Sequence, residues 1–428
     1  MKRPFLLVLV LLGLCGPVCA QDSPASPALR SRAEQVVALL RGQGDPAEMF
    51  TPAFLAQVPP ARIRGIGQQI VAQYGAVRGL DRLDAASPQS GVMHVGTERA
   101  TLNIQIAVEP QAPNRIAGLL FTGADMRGDS LAAIVEEIRA LPGQKSIAIA
   151  RLGDGAPALL ASLEPERPLA IGSAFKLFIL AELSRQIAAG QRHWNDVVIL
   201  DRRSIPSGTL QAWPQGSPIT LHSLAALMIS VSDNTAADML LHTLGRENVE
   251  RMMETIGVSN AARNRPLLST LETSAIKTGP APALNAWLQA DEAGRRRMLA
   301  SDYAAIDPAR VDIARFTGNP LHIELEWYAS AADMVRVMDW LRRSADDHAR
   351  AILAINSGLG PQIRGELAYV GYKGGSEPGV LNLTWLVRNR AGVWQVITGS
   401  WNNPDAPLED QRFIALMARA VQLARAAN

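Results

Sequence analysis

Apolar residues recur at helical spacing over Leu29–Leu40, where Ala33, Val36, Val37 and Leu40 share a face. A second helical pattern runs from Arg62 to Tyr74 and stops at Gly75. The period then changes to two. Four strand-like runs follow, at Gly79–Ala85, Val92–Val95, Ala100–Val108 and Arg115–Phe121. In the third, Thr101, Asn103 and Gln105 alternate with Leu102, Ile104 and Ile106, as in an antiparallel strand buried on one face. These runs predict a small α+β unit over residues 21–123.

Helical spacing returns at Leu131, Ile134, Val135, Ile138 and Leu141 and is stopped by Pro142-Gly143. We read residues 124–143 as a helical linker. Ser146–Arg151 and Ala158–Ser162 read as a hairpin around Asp154-Gly155. Helical patterns occupy most of the chain to about residue 355. Three strand-like runs come next, at Glu366–Lys373, Val380–Arg388 and Val393–Ser400, with turns at Gly374–Gly379 and Asn389–Gly392. A closing helix carries Phe413, Leu416, Met417, Ala420, Val421 and Ala424 on one stripe. The pattern predicts a second domain over 144–428, with two strands first, helices inserted, then three strands and a helix.

The first 20 residues change the picture of where this happens. Lys2 and Arg3 precede an apolar run from Phe5 to Cys15, and Val18-Cys19-Ala20 makes a small-residue cleavage site before Gln21. That is the form of a secretory signal peptide, and it predicts a periplasmic or secreted protein with no membrane attachment after cleavage. Both cysteines lie in this segment, so the mature chain has neither disulfide nor thiol chemistry. The segment has two basic and no acidic residues, so its removal takes the formal net charge from +2 to 0. A balanced charge speaks against a nucleic-acid partner. The six histidines show no metal-ligand spacing, and neither metal nor cofactor is expected.

Candidate chemistry sits in three short strings. Ser173-Ala-Phe-Lys176 opens an apolar helical run, Phe175 to Leu183. Residues three apart on a helix share a face, so Ser173 and Lys176 lie together. The first turn also places the positive end of the helix dipole beside the serine, where negative charge develops on acylation. A serine hydroxyl needs a base. Lys176 serves only if burial and a neighbouring cation, for which Lys373 is the candidate, bring its pKa well below about 10.4. Ser232-Asp233-Asn234 interrupts a helical stripe 59 residues after Ser173. Lys373-Gly374-Gly375 ends a strand-like run.

Together these strings resemble the S-x-x-K, S-D-N and K-T-G signature of class A β-lactamases and penicillin-binding proteins, over roughly residues 144–428. The resemblance implies a three-layer αβα lactamase-like domain with an antiparallel sheet. The order of helix and curved sheet ahead of it is similar to nuclear-transport-factor or cystatin-like modules. It also implies acyl transfer. Ser173 is the nucleophile, Lys176 the base, and Ser232 the proton relay working with Lys373. Asn234 contacts substrate and braces Lys176, and Gly375 and Ser376 line the substrate strand. The backbone N–H groups of Ser173 and Ser376 form the oxyanion hole. The implied partner is a small β-lactam, ester or peptidoglycan-like molecule.

Two strings imitate the signature. Ser274-Ala-Ile-Lys277 is a second S-x-x-K, and Lys277-Thr278-Gly279 spells the third motif literally, but it lies ahead of a helix rather than on a strand. Two departures bear on substrate and turnover. Gly374 lacks the hydroxyl that the family presents there, which leaves Ser376 to supply it. The family's deacylating glutamate stands in an E-x-x-L-N segment, and the nearest string here, Ala281-Pro-Ala-Leu-Asn285, begins with alanine. Glu272 is the remaining carboxylate considered as a deacylation base, against a helix-capping role. The expected activity is β-lactam hydrolysis. An esterase or peptidoglycan-directed hydrolase is the enzymatic alternative, and a binder that acylates without turnover is the non-enzymatic one.

Overall fold

The computed structural model describes residues 25–424, which divide into two compact units after Asp129. The expected signal peptide and its cleavage site lie outside the described residues.

In the first unit, the Pro27–Leu40 helix starts at Ser26, whose hydroxyl accepts from Leu29 N. It buries Leu29, Ala33, Val36 and Val37. These pack with Met93, Val95, Leu102, Ile104 and Ile106 of the sheet. That sheet is a four-stranded antiparallel meander in sequence order, made of Val77–Ser87, Ser90–Thr97, Ala100–Val108 and Ile116–Met126. Alternation in Ala100–Val108 is as read from sequence, with Leu102, Ile104 and Ile106 buried. Two short helices, Pro46–Met49 and Pro52–Gln57, escaped the sequence reading because neither is long enough to show a period.

The second unit is built on a five-stranded antiparallel sheet. Its order is Tyr369–Glu377, Val380–Arg388, Trp394–Asn402, Gln144–Leu152 and Ala158–Leu163. Alternate side chains enter different layers. Ile147, Ile149, Trp385, Val387 and Ile397 pack against the Leu131–Arg139 helix and the closing Asp410–Ala424 helix. Ala148, Ala150, Leu386 and Val396 face a larger helical layer. The Leu131–Arg139 helix, read as a linker, is therefore part of this unit's core: Ile134, Val135 and Ile138 are buried against Phe413 and Met417.

A second correction concerns the glycines. In place of a turn over Gly374–Gly379, the Tyr369–Glu377 strand continues through Gly374 and Gly375, and only Pro378-Gly379 turns. Strand propensity disfavours glycine, but the requirement at Gly375 is close approach of another backbone. The strand is the outermost of its sheet, and its free side meets the Gly172–Phe175 turn of 3₁₀ helix.

That turn leads directly into the Lys176–Ala188 helix, which buries ten of its thirteen residues. Fully burying a leucine, isoleucine or phenylalanine contributes about 1.5–3 kcal/mol, so Leu177, Phe178, Ile179, Leu180 and Leu183 anchor this helix firmly. Its polar members are paired. Glu182 accepts from Arg185 and Gln186, and Ser184 donates to Leu180 O.

Candidate active site

Three segments converge on Ser232. Its φ of 58° is left-handed, an uncommon state for a residue other than glycine. Asp233 holds the segment in place. Fully buried, it caps the Asn234–Leu244 helix through Ala236 N at 2.9 Å and accepts from Thr209 N at 2.6 Å and Leu210 N at 2.9 Å. The room for it exists because Gly208, itself at φ 106°, has no side chain. A Cβ there would lie 2.2 Å from the Asp233 carboxylate.

Lys176 Nζ reaches Ser232 O at 2.7 Å, Ser232 Oγ at 3.1 Å and Asn234 Oδ1 at 2.7 Å. Lys373 Nζ approaches the same hydroxyl at 3.0 Å and donates to Gly374 O. Ser232 Oγ thus bridges two buried amines. Burial brings the Lys176 pKa down to about 7, opposed by the negative charges of Asp238 and Asp233. Lys373 is also pushed well down, first by burial and then by the proximity of Lys176. The main cause at Lys176 is therefore desolvation, and the repulsion between the two lysines weighs on Lys373.

Ser173 lies in the 3₁₀ turn, and its hydroxyl has no hydrogen-bond partner among the described residues. Lys176 turns its amine towards Ser232 and Asn234 instead. The Ser173 backbone nitrogen is held tightly against the edge strand. A Cβ at Gly375 would lie 2.4 Å from it and 2.2 Å from Ile171 O, while a Cβ at Gly172 would lie 3.1 Å from Ser376 N. Two glycines thus let two backbone N–H groups, of Ser173 and Ser376, come together across the seam. This is the pairing read from sequence as an oxyanion hole.

Gly374 also has a physical reason. A Cβ there would lie 2.3 Å from the Tyr372 hydroxyl and 3.0 Å from Asn382 O. The Tyr372 ring packs on Trp385 at 5.0 Å between centroids, and its hydroxyl occupies the space next to Gly374. That hydroxyl has no hydrogen-bond partner among the described residues, and burial raises its pKa to about 12, so it stays protonated. Sequence reasoning looked to Ser376 for a hydroxyl and missed Tyr372. The one signal was its place two residues ahead of a glycine on the same strand.

Other candidates are placed elsewhere. Lys277 is fully buried in the Thr270–Thr278 helix, paired with Glu326 at 2.5 Å and Glu377 at 2.6 Å, and Ser274 donates to Thr270 O at 2.8 Å. Both are outside the Ser232 cluster, as their context predicted. Ala281 opens an exposed stretch of the Ala281–Gln289 helix, whose Leu284 and Trp287 belong to a separate small core. Glu272, considered as a deacylation base, is held by its own helix start and by Arg246. It completes a capping box with Ser269 and takes a two-pronged ion pair from Arg246 at 2.7 and 3.0 Å. Burial pushes its carboxyl up, but Arg246 and Ser269 N outweigh this and hold it below the ordinary glutamate value. Lys176, Lys373 and Ser232 hydrogen-bond to no carboxylate among the described residues. A cavity of about 580 Å³ opens between Arg202, His242, Arg246, Glu272 and Tyr303, and none of the Ser173, Lys176, Ser232 or Lys373 side chains lines it. No cluster of metal-ligating side chains occurs among the described residues, and no helix among them is long and apolar enough to cross a membrane.

A sequence profile of the beta-lactamase enzyme family matches residues 129–422, well over half of the chain. The chain belongs to the beta-lactamase enzyme family. It is accordingly a serine hydrolase of the β-lactamase type, with that family's mixed arrangement of helices around an antiparallel sheet. Similar solved structures include a beta-lactamase from Sphaerobacter thermophilus (22% identity, TM-score 0.48, 69% of this chain and 96% of that one). Another is PBP-A (16%, TM-score 0.47, 69% and 93%). A third is a beta-lactamase from Desulfarculus baarsii (20%, TM-score 0.46, 70% and 100%). No curated protein sequence matches the chain. The matched region takes in the helix from Leu131, in keeping with that helix's place in the core of the second unit.

Proposed function

We propose that the protein is an exported acyl-transfer enzyme that opens β-lactams or related strained amides and esters through an acyl-Ser173 intermediate. The observation that carries this reading is the single hydroxyl of Ser232 held between the amines of Lys176 and Lys373. As an ammonium, Lys176 donates to all three of its acceptors. As a free amine, it keeps its bonds to Ser232 O and Asn234 Oδ1 and accepts the Ser232 proton on its lone pair. As Ser173 Oγ attacks the acyl carbon, its proton passes to the Ser232 oxygen while the Ser232 proton moves to Lys176, and the reverse relay delivers a proton through Ser232 to the leaving nitrogen or oxygen as its bond to that carbon breaks. The N–H groups of Ser173 and Ser376 supply the electrostatic stabilisation of the oxyanion. Lys373 and the Tyr372 hydroxyl offer two hydrogen-bond donors for a substrate carboxylate. Export rests on the charged and apolar segment ahead of Gln21.

The absence of a carboxylate from the polar contacts of Lys176, Lys373 and Ser232 favours a second reading on turnover. The acyl-enzyme is long-lived, and the protein works as a slow hydrolase or as an acylating binder. Water is a poor nucleophile without a positioned base.

Intact-mass spectrometry after incubation with a penicillin, and separately with an activated ester, tests the proposal. A mass increase is expected in the wild type and in Ser274→Ala and is lost in Ser173→Ala. Labelling that survives Ser173→Ala would overturn it. A burst of one product per enzyme before a slow phase is the expected time course.

A further inference from the structure

The literal Lys-Thr-Gly string places Lys277 where no motif reading has a use for it. Its ammonium is completely buried, and burying a cation carries a heavy desolvation penalty unless charged partners enclose it. Two carboxylates do so, Glu326 at 2.5 Å and Glu377 at 2.6 Å. The three residues come from three separate segments: one carries Ser376, half of the candidate oxyanion hole, and another packs against the segment that carries Ser173, the other half.

Glu377 is the last residue of the edge strand, directly after Ser376, and the strand reaches it through Gly374 and Gly375. Glu326 begins the segment that holds the approach to Ser173. Trp327 stacks on Phe175 at 3.8 Å, its carbonyl accepts from Ile171 N at 2.9 Å, and Tyr328 and Ala329 pair with Ala170 and Leu169. The helix that supplies the ammonium is anchored at its far end, where Asp238 accepts from Thr270 N at 2.7 Å and Leu271 N at 3.0 Å.

We infer that Lys277 is a positioning residue, a buried cross-tie that fixes the separation of the Ser173 and Ser376 N–H groups by gripping the Glu326 and Glu377 segments at once. This rests on the acyl-transfer reading of the site. Two carboxylates around one ammonium leave an excess negative charge, and burial followed by repulsion from Glu326 raises the Glu377 pKa to about 8. Glu377 therefore holds a proton at neutral pH, and an amide can take its place in the tie.

The test compares Glu377→Leu, which leaves a balanced Lys277–Glu326 pair, with Glu377→Gln, which keeps the hydrogen bond. Stopped-flow acylation by a penicillin or activated ester is resolved into a binding constant and a maximal rate. Amide hydrogen exchange over residues 371–379 is followed in the same proteins. The expected result for Glu377→Leu is a maximal rate lower by roughly 10-fold or more, the scale of a displaced oxyanion donor. Binding stays within about 3-fold, and exchange around Ser376 is faster. Glu377→Gln restores rate and protection to within about 3-fold of wild type. Wild-type exchange in Glu377→Leu overturns the inference, as does a rate loss shared equally by Glu377→Gln. If the wild type itself is never acylated at Ser173, the functional reading fails, and exchange in the variants still decides whether the tie exists.

Discussion

Lys176 gives the sharpest expectation at the scale of single residues. Its amine is the proposed base, and burial brings its pKa to about 7. Below that pH it is an ammonium and has no lone pair to offer, whereas above it the amine predominates. The acylation rate should therefore climb between pH 5 and 8 with a midpoint near 7 and then level off. Stopped-flow acylation across that range measures it, and a flat profile excludes Lys176 as the base. Tyr372 gives a second. Removing only its hydroxyl, in Tyr372→Phe, should weaken binding of carboxylate-bearing substrates by about 10-fold, the scale of one hydrogen bond to a charged group. An ester without a carboxylate should be unaffected. Equal losses for both substrates would mean that the hydroxyl does not meet the carboxylate. These two residues also mark what was legible. Ser173, Lys176, Ser232 and Lys373 stand in strings whose order carries their meaning. Tyr372 stands in no string, because its part is set by the space beside a glycine on the folded strand.

Among the elements, the Thr270–Thr278 helix shows how a plausible sequence candidate finds another use. Glu272 sits three residues after Ser269 and forms the capping box that this spacing allows, and its ion pair with Arg246 is largely buried at both ends. Breaking a buried pair leaves a charge without a partner, so Glu272→Gln should cost about 3 kcal/mol of stability. The decay rate of the acyl-enzyme should not change. Chemical denaturation and the decay of acyl-Ser173 by mass spectrometry read the two effects separately, and faster loss of stability with slower decay would return Glu272 to the mechanism. Periodic elements were otherwise well marked in the sequence. The Val380–Arg388 strand has the limits read for it. The edge strand, expected over Glu366–Lys373, starts three residues later and runs four residues further, because two glycines and a serine have no strand signature. The place of Gly375 in the sheet is set by tertiary approach to the Ser173 turn, which overrides local propensity.

For the molecule as a whole, the family's layered arrangement was foreseeable from the order of strands, helices and strands. The allocation of the Leu131–Arg139 helix was not. An amphipathic helix between two domains has an apolar face either way, and only the packed structure shows which core receives it. The edge strand now takes on a mechanical meaning. The proposed nucleophile and base hang from the helical layer, while Lys373 and the Ser376 N–H belong to the sheet's outermost strand, which has a ladder neighbour on one side only. The proposed catalytic geometry thus spans the contact between the Ser173 turn and that edge strand, a local seam at the margin of the core that helices and sheet otherwise share. Such a seam loosens at a lower free energy than the shared core melts. On warming, acylation should accordingly fail several degrees before far-ultraviolet dichroism reports unfolding, with activity restored on cooling. Coincident loss of activity and secondary structure would show instead that helices and sheet part only when both dissolve.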